Sequence, residues 1–250
     1  MTQSGSRWQG LIADEVTLIG HGGDTVEGYM AKPQGAGPFP GIVVIHEAFG
    51  LVQHTRELVH RFAAAGYVAI APNLYSRMAP FDPTEMPAVM TAMNGLPDTV
   101  ALGDLNAAVA RLRETPECSG KVGAIGHCSG GRHTMLLASN AKIEAAVDCY
   151  GGGVVTTDTT EARPKPVIDM VAGVSCPVLG LFGEADRNPS PEQVATLEAA
   201  LRSNGKSVEV QSYPAPVGHG FFADYRPSYS QEAAVDGWRR IFEFFGKHLQ

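Results

Sequence analysis

The stretch KVGAIGHCSGGRH, residues 121–133, decides how the chain is read. Its first half is a short apolar run with β-branched residues. Its second half opens on small residues and passes into a helix-compatible segment. Between them, Gly126-His127-Cys128-Ser129-Gly130 holds a cysteine in a Gly-x-Cys-x-Gly frame. A strand that turns sharply into a helix forces the central residue into a strained backbone conformation. Glycines two positions to either side are then required, because a Cβ there collides with the neighbouring chain. The turn exposes the Cys128 side chain at the sheet edge and aims the first helical N–H groups at the same spot. The positive helix end there favours a thiolate and later an oxyanion. A glycine-rich turn around an inert cysteine has the same local pattern, so the rest of the chain must supply a base and an acid.

Outward from this turn, apolar strands alternate with helical segments. GIVVIHEAFG (41–50) begins as a continuous β-branched run, as expected of a strand buried on both faces. HTRELVHRFAAAG (54–66) has helical spacing and a closing glycine, and YVAIAPNLY (67–75) gives the next strand. DTVALGDLNAAVARLRE (98–114) reads as a helix capped by Asp98. IEAAVDCYGG (143–152), PVLGLFGEAD (177–186) and SVEVQSYP (207–214) read as strands. SPEQVATLEAALRSNG (190–205) and the amphipathic QEAAVDGWRRIFEFFGKHL (231–249) read as helices. DEVTLIGHGGDTVEGYMAKP (14–33) alternates around Gly22-Gly23 as a hairpin. The order implies an α/β architecture, a mainly parallel sheet with helices on both faces, in one domain over 1–250. Segments 76–97 and 151–168 interrupt the alternation. Insertions at the carboxyl ends of strands in such sheets surround the ligand crevice, though they also occur as plain surface loops.

A nucleophile at this turn is to be followed first by an acid after a later strand, then by a histidine after the last strand. PVLGLFGEADRNPS places Asp186 in a loop beyond an apolar strand, and YPAPVGHGF places His219 between two glycines after the next one. A loop aspartate also serves as a turn carboxylate, and Glu184 lies close by. His21, His54, His60, His133 and His248 have no comparable placement. In this arrangement His219 takes the thiol proton or holds the ion pair, and Asp186 fixes its tautomer.

Taken together, GIVVIHEAFGL, APNLYSR, GHCSGG, GLFGEAD and GHGF resemble the dienelactone hydrolase (carboxymethylenebutenolidase) family of the α/β-hydrolase fold over nearly the whole chain. The resemblance implies a triad of Cys128, Asp186 and His219. It further implies that Glu47 interacts with the resting thiol and takes part in its deprotonation once substrate binds, and that the Ser129 and Ala48 amides form the oxyanion hole. The family's substrates are unsaturated lactones bearing a carboxylate, anchored by arginines, and Arg77 falls on one of these positions. The second arginine position, four residues after the catalytic histidine, is Ala223 here, and Arg226 lies three residues further on. That departure leaves open whether Arg226 reaches the pocket or ties its loop to Asp224 or the final helix. Tyr75 and Phe221, with Phe39, Phe49 and Phe81, are candidates for an apolar cleft, and strand-end aromatics also belong to cores.

The net charge of −7, with 26 acidic and 19 basic residues and no basic block, argues against a nucleic-acid or anionic-membrane surface. No run approaches the ~18 apolar residues of a membrane span. MTQSGSRWQGLIADEV lacks the pattern of a secretory leader. Four well-separated cysteines (118, 128, 149, 176) give neither a disulfide framework nor a zinc site, which fits a reducing cytoplasm. Cys149 and Cys176 read as core residues and Cys118 as a surface loop thiol.

The expectation is a hydrolase that opens lactones or cleaves esters through a thioester, needing no metal or cofactor. Its partner is a small-molecule substrate, and it is a monomer or weak homodimer. A general carboxylesterase or thioesterase, or a non-hydrolytic binding protein on the same scaffold, are the alternatives.

Overall fold

The computed structural model describes residues 10–250; positions 1–9, part of the segment read against a secretory leader, lie outside them. One eight-stranded sheet runs through these residues. Its strands are β1 (Leu11–Ile19), β2 (Thr25–Pro33), β3 (Phe39–Ile45), β4 (Val68–Pro72), β5 (Cys118–His127), β6 (Ala145–Cys149), β7 (Val178–Gly183) and β8 (Val208–Tyr213). Their spatial order is β1-β2-β4-β3-β5-β6-β7-β8. The hairpin β1–β2 is antiparallel, as is the β2–β4 pair, and every pair from β4 to β8 is parallel.

The period-2 alternation of strand side chains explains why the central strands are apolar throughout. In β3, Val43 and Ile45 enter one core, while Ile42 and Val44 enter the other. The first core lies under α3 (Asp98–Glu114), α4 (Ser129–Asn140) and α5 (Pro191–Ser203), which contribute Leu105, Leu112, Met135 and Leu197. The second lies under α1 (Gln53–Ala64) and α6 (Gln231–His248). There Phe62 is fully buried, with the rings of Tyr67, Trp238, Phe242 and Phe245 at 5.7–6.0 Å. Burial of each such side chain contributes roughly 1.5–3 kcal/mol. Among the described residues no helix is long and apolar enough to cross a membrane.

Two local readings change, and the first inserted segment gains a helix. Asp98 is the first residue of its helix rather than the cap, and its carboxylate accepts both Arg132 Nη1 (2.6 Å) and Nη2 (2.8 Å) in a buried ion pair. Arg132 is in the first turn of α4, so this pair fastens α3 to the helix that follows Cys128. Cys118 opens β5, half-buried, instead of sitting in a surface loop. The 76–97 segment contains a helix, α2 (Met86–Gly95), with Pro at its start, and buries Val89 and Ala92 against the core. Cys149 and Cys176 are buried, as expected.

Asp148 of β6 is wholly buried. Its Oδ1 accepts the Gly151 N–H at 2.8 Å, and its Oδ2 has no hydrogen-bond partner. Burial raises its pKa from 3.8 to about 7, against the lowering effect of the Gly151 N–H. With the folded pKa above the unfolded one, the neutral acid's contribution to stability is complete below pH 3.8 and is lost as pH rises through about 7. Asp148→Asn keeps the acceptor and cannot ionise. Thermal melts are expected to show a rise that is clearly smaller at pH 5 than at pH 8, where it reaches about 3 °C or more. An equal shift at both values contradicts a buried titrating carboxyl.

Candidate active site

β5 occupies the middle of the sheet, and the turn at its carboxyl end has the conformation that its glycines demand. Cys128 has φ 57° and ψ −123°, in the left-handed region of φ that a non-glycine residue rarely adopts. A Cβ on Gly126 would strike the Gly130 carbonyl. One on Gly130 would strike the Ile45 carbonyl and come within 2.7 Å of the His46 oxygen. α4 therefore begins pressed against the end of β3. Ser129 is its first residue, so the Ser129 N–H belongs to the helix end that has no intrahelical acceptor. Ala48 is carried just beyond the end of β3 and is nearly buried, as is Ser129.

Asp186 follows β7 and His219 follows β8. The loops converge so that His219 Nδ1 lies 2.8 Å from Asp186 Oδ2, with the acid itself buried. Asp186 Oδ1 accepts the Asn188 N–H at 2.9 Å, which fixes the carboxylate plane. The Cys128 thiol lies near enough to the ring to raise its pKa. Burial alone lowers the pKa of His219, but Asp186 and Cys128 outweigh it and raise the value to about 10. A thiol, an imidazole and a carboxylate in series are the groups that acyl transfer to sulfur requires.

Glu47 is almost fully buried beyond β3. Its Oε2 accepts Arg226 Nη2 at 2.7 Å, while its Oε1 has no hydrogen-bond partner. Arg226 also reaches the Tyr225 hydroxyl at 2.9 Å and lies over the Phe49 ring at 4.5 Å. The loop after His219 thus curves back toward β3, and Arg226 pairs with Glu47. Arg226, Tyr225 and Phe49 line a cavity of about 430 Å³. Val52 of the β3–α1 segment, His54 of α1, and Pro83 and Thr84 of the 76–97 segment complete much of its wall.

Two expectations are revised. Arg77 is engaged elsewhere: its Nη1 and Nη2 donate to Asp104 at 2.6 and 3.0 Å, and its Nε donates to Asp24 at 2.7 Å. Asp104 has no exposed surface and also accepts the His21 N–H, so Arg77 clamps the β1–β2 turn onto α3. Phe221 is wholly buried among Tyr150, Tyr213 and Phe222, with centroids 4.6–5.2 Å apart, and lines no cleft. Tyr75 is nearly buried; its ring meets His46 at 4.8 Å and Phe81 at 5.6 Å, and burial raises its hydroxyl pKa.

Three residues near these groups carried no sequence expectation. Tyr150, with φ 43°, sets its ring edge-on to His219 at 5.1 Å, and its buried hydroxyl has no partner. The Gly-Gly-Gly run immediately after it was the available signal. Arg163, from the 151–168 segment, donates to the Met93 carbonyl, and its charge is felt at Tyr75. His46 lies between the β3 and β4 exits.

The dienelactone hydrolase family pattern matches residues 26–249. The chain belongs to that family. A protein of Methylorubrum extorquens provisionally named carboxymethylenebutenolidase is 37% identical over 243 residues, covering 96% of this chain and 82% of that one. A solved structure from Klebsiella pneumoniae, provisionally titled a dienelactone hydrolase, superposes with a TM-score of 0.88 at 34% identity, covering 96% of this chain and all of that one. The Pyrococcus horikoshii acylaminoacyl peptidase, at 16% identity and a TM-score of 0.73 over 97% of this chain and 42% of its own, shares the fold alone. The fold is that of the α/β-hydrolases, and the chain is an ester or lactone hydrolase of the dienelactone hydrolase type.

The charge on His219 links its pairing with Asp186 to stability. Its folded pKa of about 10 exceeds the ordinary 6.5, so the stabilisation is complete below 6.5 and is lost as pH rises through about 10. The melting-temperature gap between the native chain and His219→Gln is expected to be widest near pH 6 and to close toward pH 10. A gap that widens with alkalinity refutes a protonated ring held by Asp186.

Proposed function

We propose that the chain hydrolyses carboxylate-bearing lactones or esters through a Cys128-His219-Asp186 triad and a thioester intermediate. The observation that carries this reading is the His219 Nδ1–Asp186 Oδ2 contact of 2.8 Å, with Cys128 on the same ring and held at φ 57° on the strand-to-helix turn. Cys128 Sγ attacks the carbonyl carbon and a C–S bond forms. The carbonyl oxygen becomes an oxyanion held by the Ser129 and Ala48 amides. The C–O bond to the ring or alkoxy oxygen breaks, and that oxygen takes a proton from His219. His219 then removes a proton from water as the water oxygen attacks the thioester carbon, the C–S bond breaks to release the acid, and the departing sulfur takes back the proton held by Glu47.

Arg226 is the anchor for a substrate carboxylate in this reading, in place of Arg77. Its partner Glu47 is bound through one oxygen only. A substrate carboxylate that takes up Arg226 loosens Glu47, whose free oxygen then serves to accept the thiol proton. This keeps the substrate-linked activation that the family resemblance implies, but not the resting contact between Glu47 and the thiol, because Oε2 is held by Arg226 and Oε1 has no hydrogen-bond partner. Arg is suited to the exchange because its planar fork donates charge-assisted hydrogen bonds to either carboxylate.

The test is a hydrolysis screen of anionic lactones beside neutral aryl esters. Cys128→Ala is expected to lower kcat about a thousandfold or more for both; turnover that survives the substitution ends the proposal. Arg226→Ala is expected to raise KM for the anionic substrates about tenfold or more, with KM for neutral esters changing by less than about threefold. In Arg77→Ala both KM values stay near those of the native chain while the melting temperature falls. A selective KM effect at Arg77 instead of Arg226 reverses the assignment.

A further inference from the structure

His46 is one of the most constrained side chains in the molecule. It is buried at the end of β3, next to Glu47, and both ring nitrogens are engaged. Leu74 donates its backbone N–H to Nε2 at 3.1 Å. An amide N–H can only donate, so Nε2 carries no proton and the proton of the neutral ring is on Nδ1. Nδ1 in turn donates to the Glu47 carbonyl oxygen at 2.6 Å. The tautomer is therefore dictated by the backbone of the neighbouring β4 exit. Burial lowers the ring's pKa to about 4, so this neutral form persists through the physiological range.

The Glu47 carbonyl belongs to the same peptide unit as the Ala48 N–H. In a trans peptide the two point in opposite directions across a rigid plane. Fixing the oxygen on one side therefore fixes the hydrogen on the other. A second donor, the Gly50 N–H at 3.2 Å, holds the same oxygen. The elbow lies beside this strand end, because the Gly130 Cα approaches the Ile45 and His46 carbonyls closely enough to exclude a Cβ. The Ser129 amide, one residue away, is thereby brought to the same strand end.

We propose that His46 is a positioning residue for the oxyanion hole: its Nδ1–H locks the Glu47–Ala48 peptide so that the Ala48 N–H is aimed at the carbonyl attacked by Cys128. This rests on the reading of Ala48 as an oxyanion donor given above. The role is distinct from that of Glu47, because it acts through the main chain and needs no change of charge. It also couples two loops. The Leu74 N–H that sets the tautomer lies next to Tyr75, whose ring rests on His46, so the wall of the site and its donor share one hydrogen-bonded support.

The test uses His46→Asn and His46→Leu in the full chain. Asn places Nδ2 where the ring has Nδ1 and keeps a donor for the Glu47 carbonyl, while giving up the acceptor for Leu74. Leu removes both. Steady-state hydrolysis, thermal melting and the rate of Cys128 alkylation by iodoacetamide are measured for each. Alkylation needs the thiol and its base but no oxyanion hole. Leu is expected to lower kcat about a hundredfold with KM within about threefold and with alkylation within about twofold of the native rate, following the loss of one preorganised donor. Asn is expected to retain kcat within about fivefold. Equal losses of kcat in Asn and Leu, or loss of alkylation in step with kcat, overturn the proposal and leave His46 a packing residue. If Leu does not fold, a folded Asn variant with kcat lowered a hundredfold overturns it equally. Failure of the underlying reading is seen separately, as hydrolysis that survives Cys128→Ala in an otherwise native chain.

Discussion

The close approach of Gly130 to the end of β3 is the constraint on which the site depends. Because no Cβ fits between α4 and the Ile45 and His46 carbonyls, the helix starts within van der Waals reach of the neighbouring strand. The chain can leave β5 and enter that helix only through a residue at positive φ, and Cys128 takes that strain at 57°. Surrounding structure must over-determine such a conformation if it is to persist. The buried Arg132–Asp98 pair, which joins the first turn of α4 to α3, is one element that does so. Another is the bond from the Cys128 N–H to the Cys149 carbonyl, 3.0 Å across to β6. The sulfur is thus presented by the packing of the sheet and not by a flexible loop.

How much of this could be read from the chain alone depended on how local the signal was. The turn at 126–130, the strands beside it and the two loop positions Asp186 and His219 follow from glycine spacing and from the order of apolar runs. Those features are written in consecutive residues. Arg77 shows the limit. Its place in the chain suited a substrate anchor, but its partners Asp24 and Asp104 come from a hairpin turn and a helix far away in sequence, and three charge-assisted contacts hold it there. Phe221 was misplaced for a related reason: an aromatic beside a candidate site residue in a loop faces either the cleft or the core, and only packing against Tyr150, Tyr213 and Phe222 decides which. Arg226 and Tyr150 depended on loop curvature and on an unusual φ, neither of which periodicity encodes.

The electrostatics of the site divide into two pairs with different purposes. His219 and Asp186 form a pair that favours a charged ring, because the acid is fixed on both oxygens by Nδ1 and by the Asn188 N–H. Glu47 and Arg226 form a looser pair, in which one carboxylate oxygen is satisfied and the other, though buried, is not. An unmatched buried oxygen costs more than a paired one contributes, so the second pair is the one that gains from rearrangement. Its arginine already lies over two aromatic rings and borders the cavity, and can remain in place while the glutamate changes partner.

His46 differs from all four of these groups because it stays neutral. A charged residue beside Glu47 would compete with Arg226 and with any bound anion, so the local field would depend on whether the site was occupied. A neutral ring held by one backbone donor and one backbone acceptor adds no net charge, and it still fixes a peptide plane. Preorganised dipoles of this kind stabilise developing charge without having to reorient during reaction. The site therefore separates two tasks: mobile charge is confined to Glu47, Arg226 and His219, while geometry is held by main-chain contacts at the ends of β3, β4 and β5. In the proposed reaction, that separation would let Glu47 change partner while the amide that follows it in sequence stays fixed.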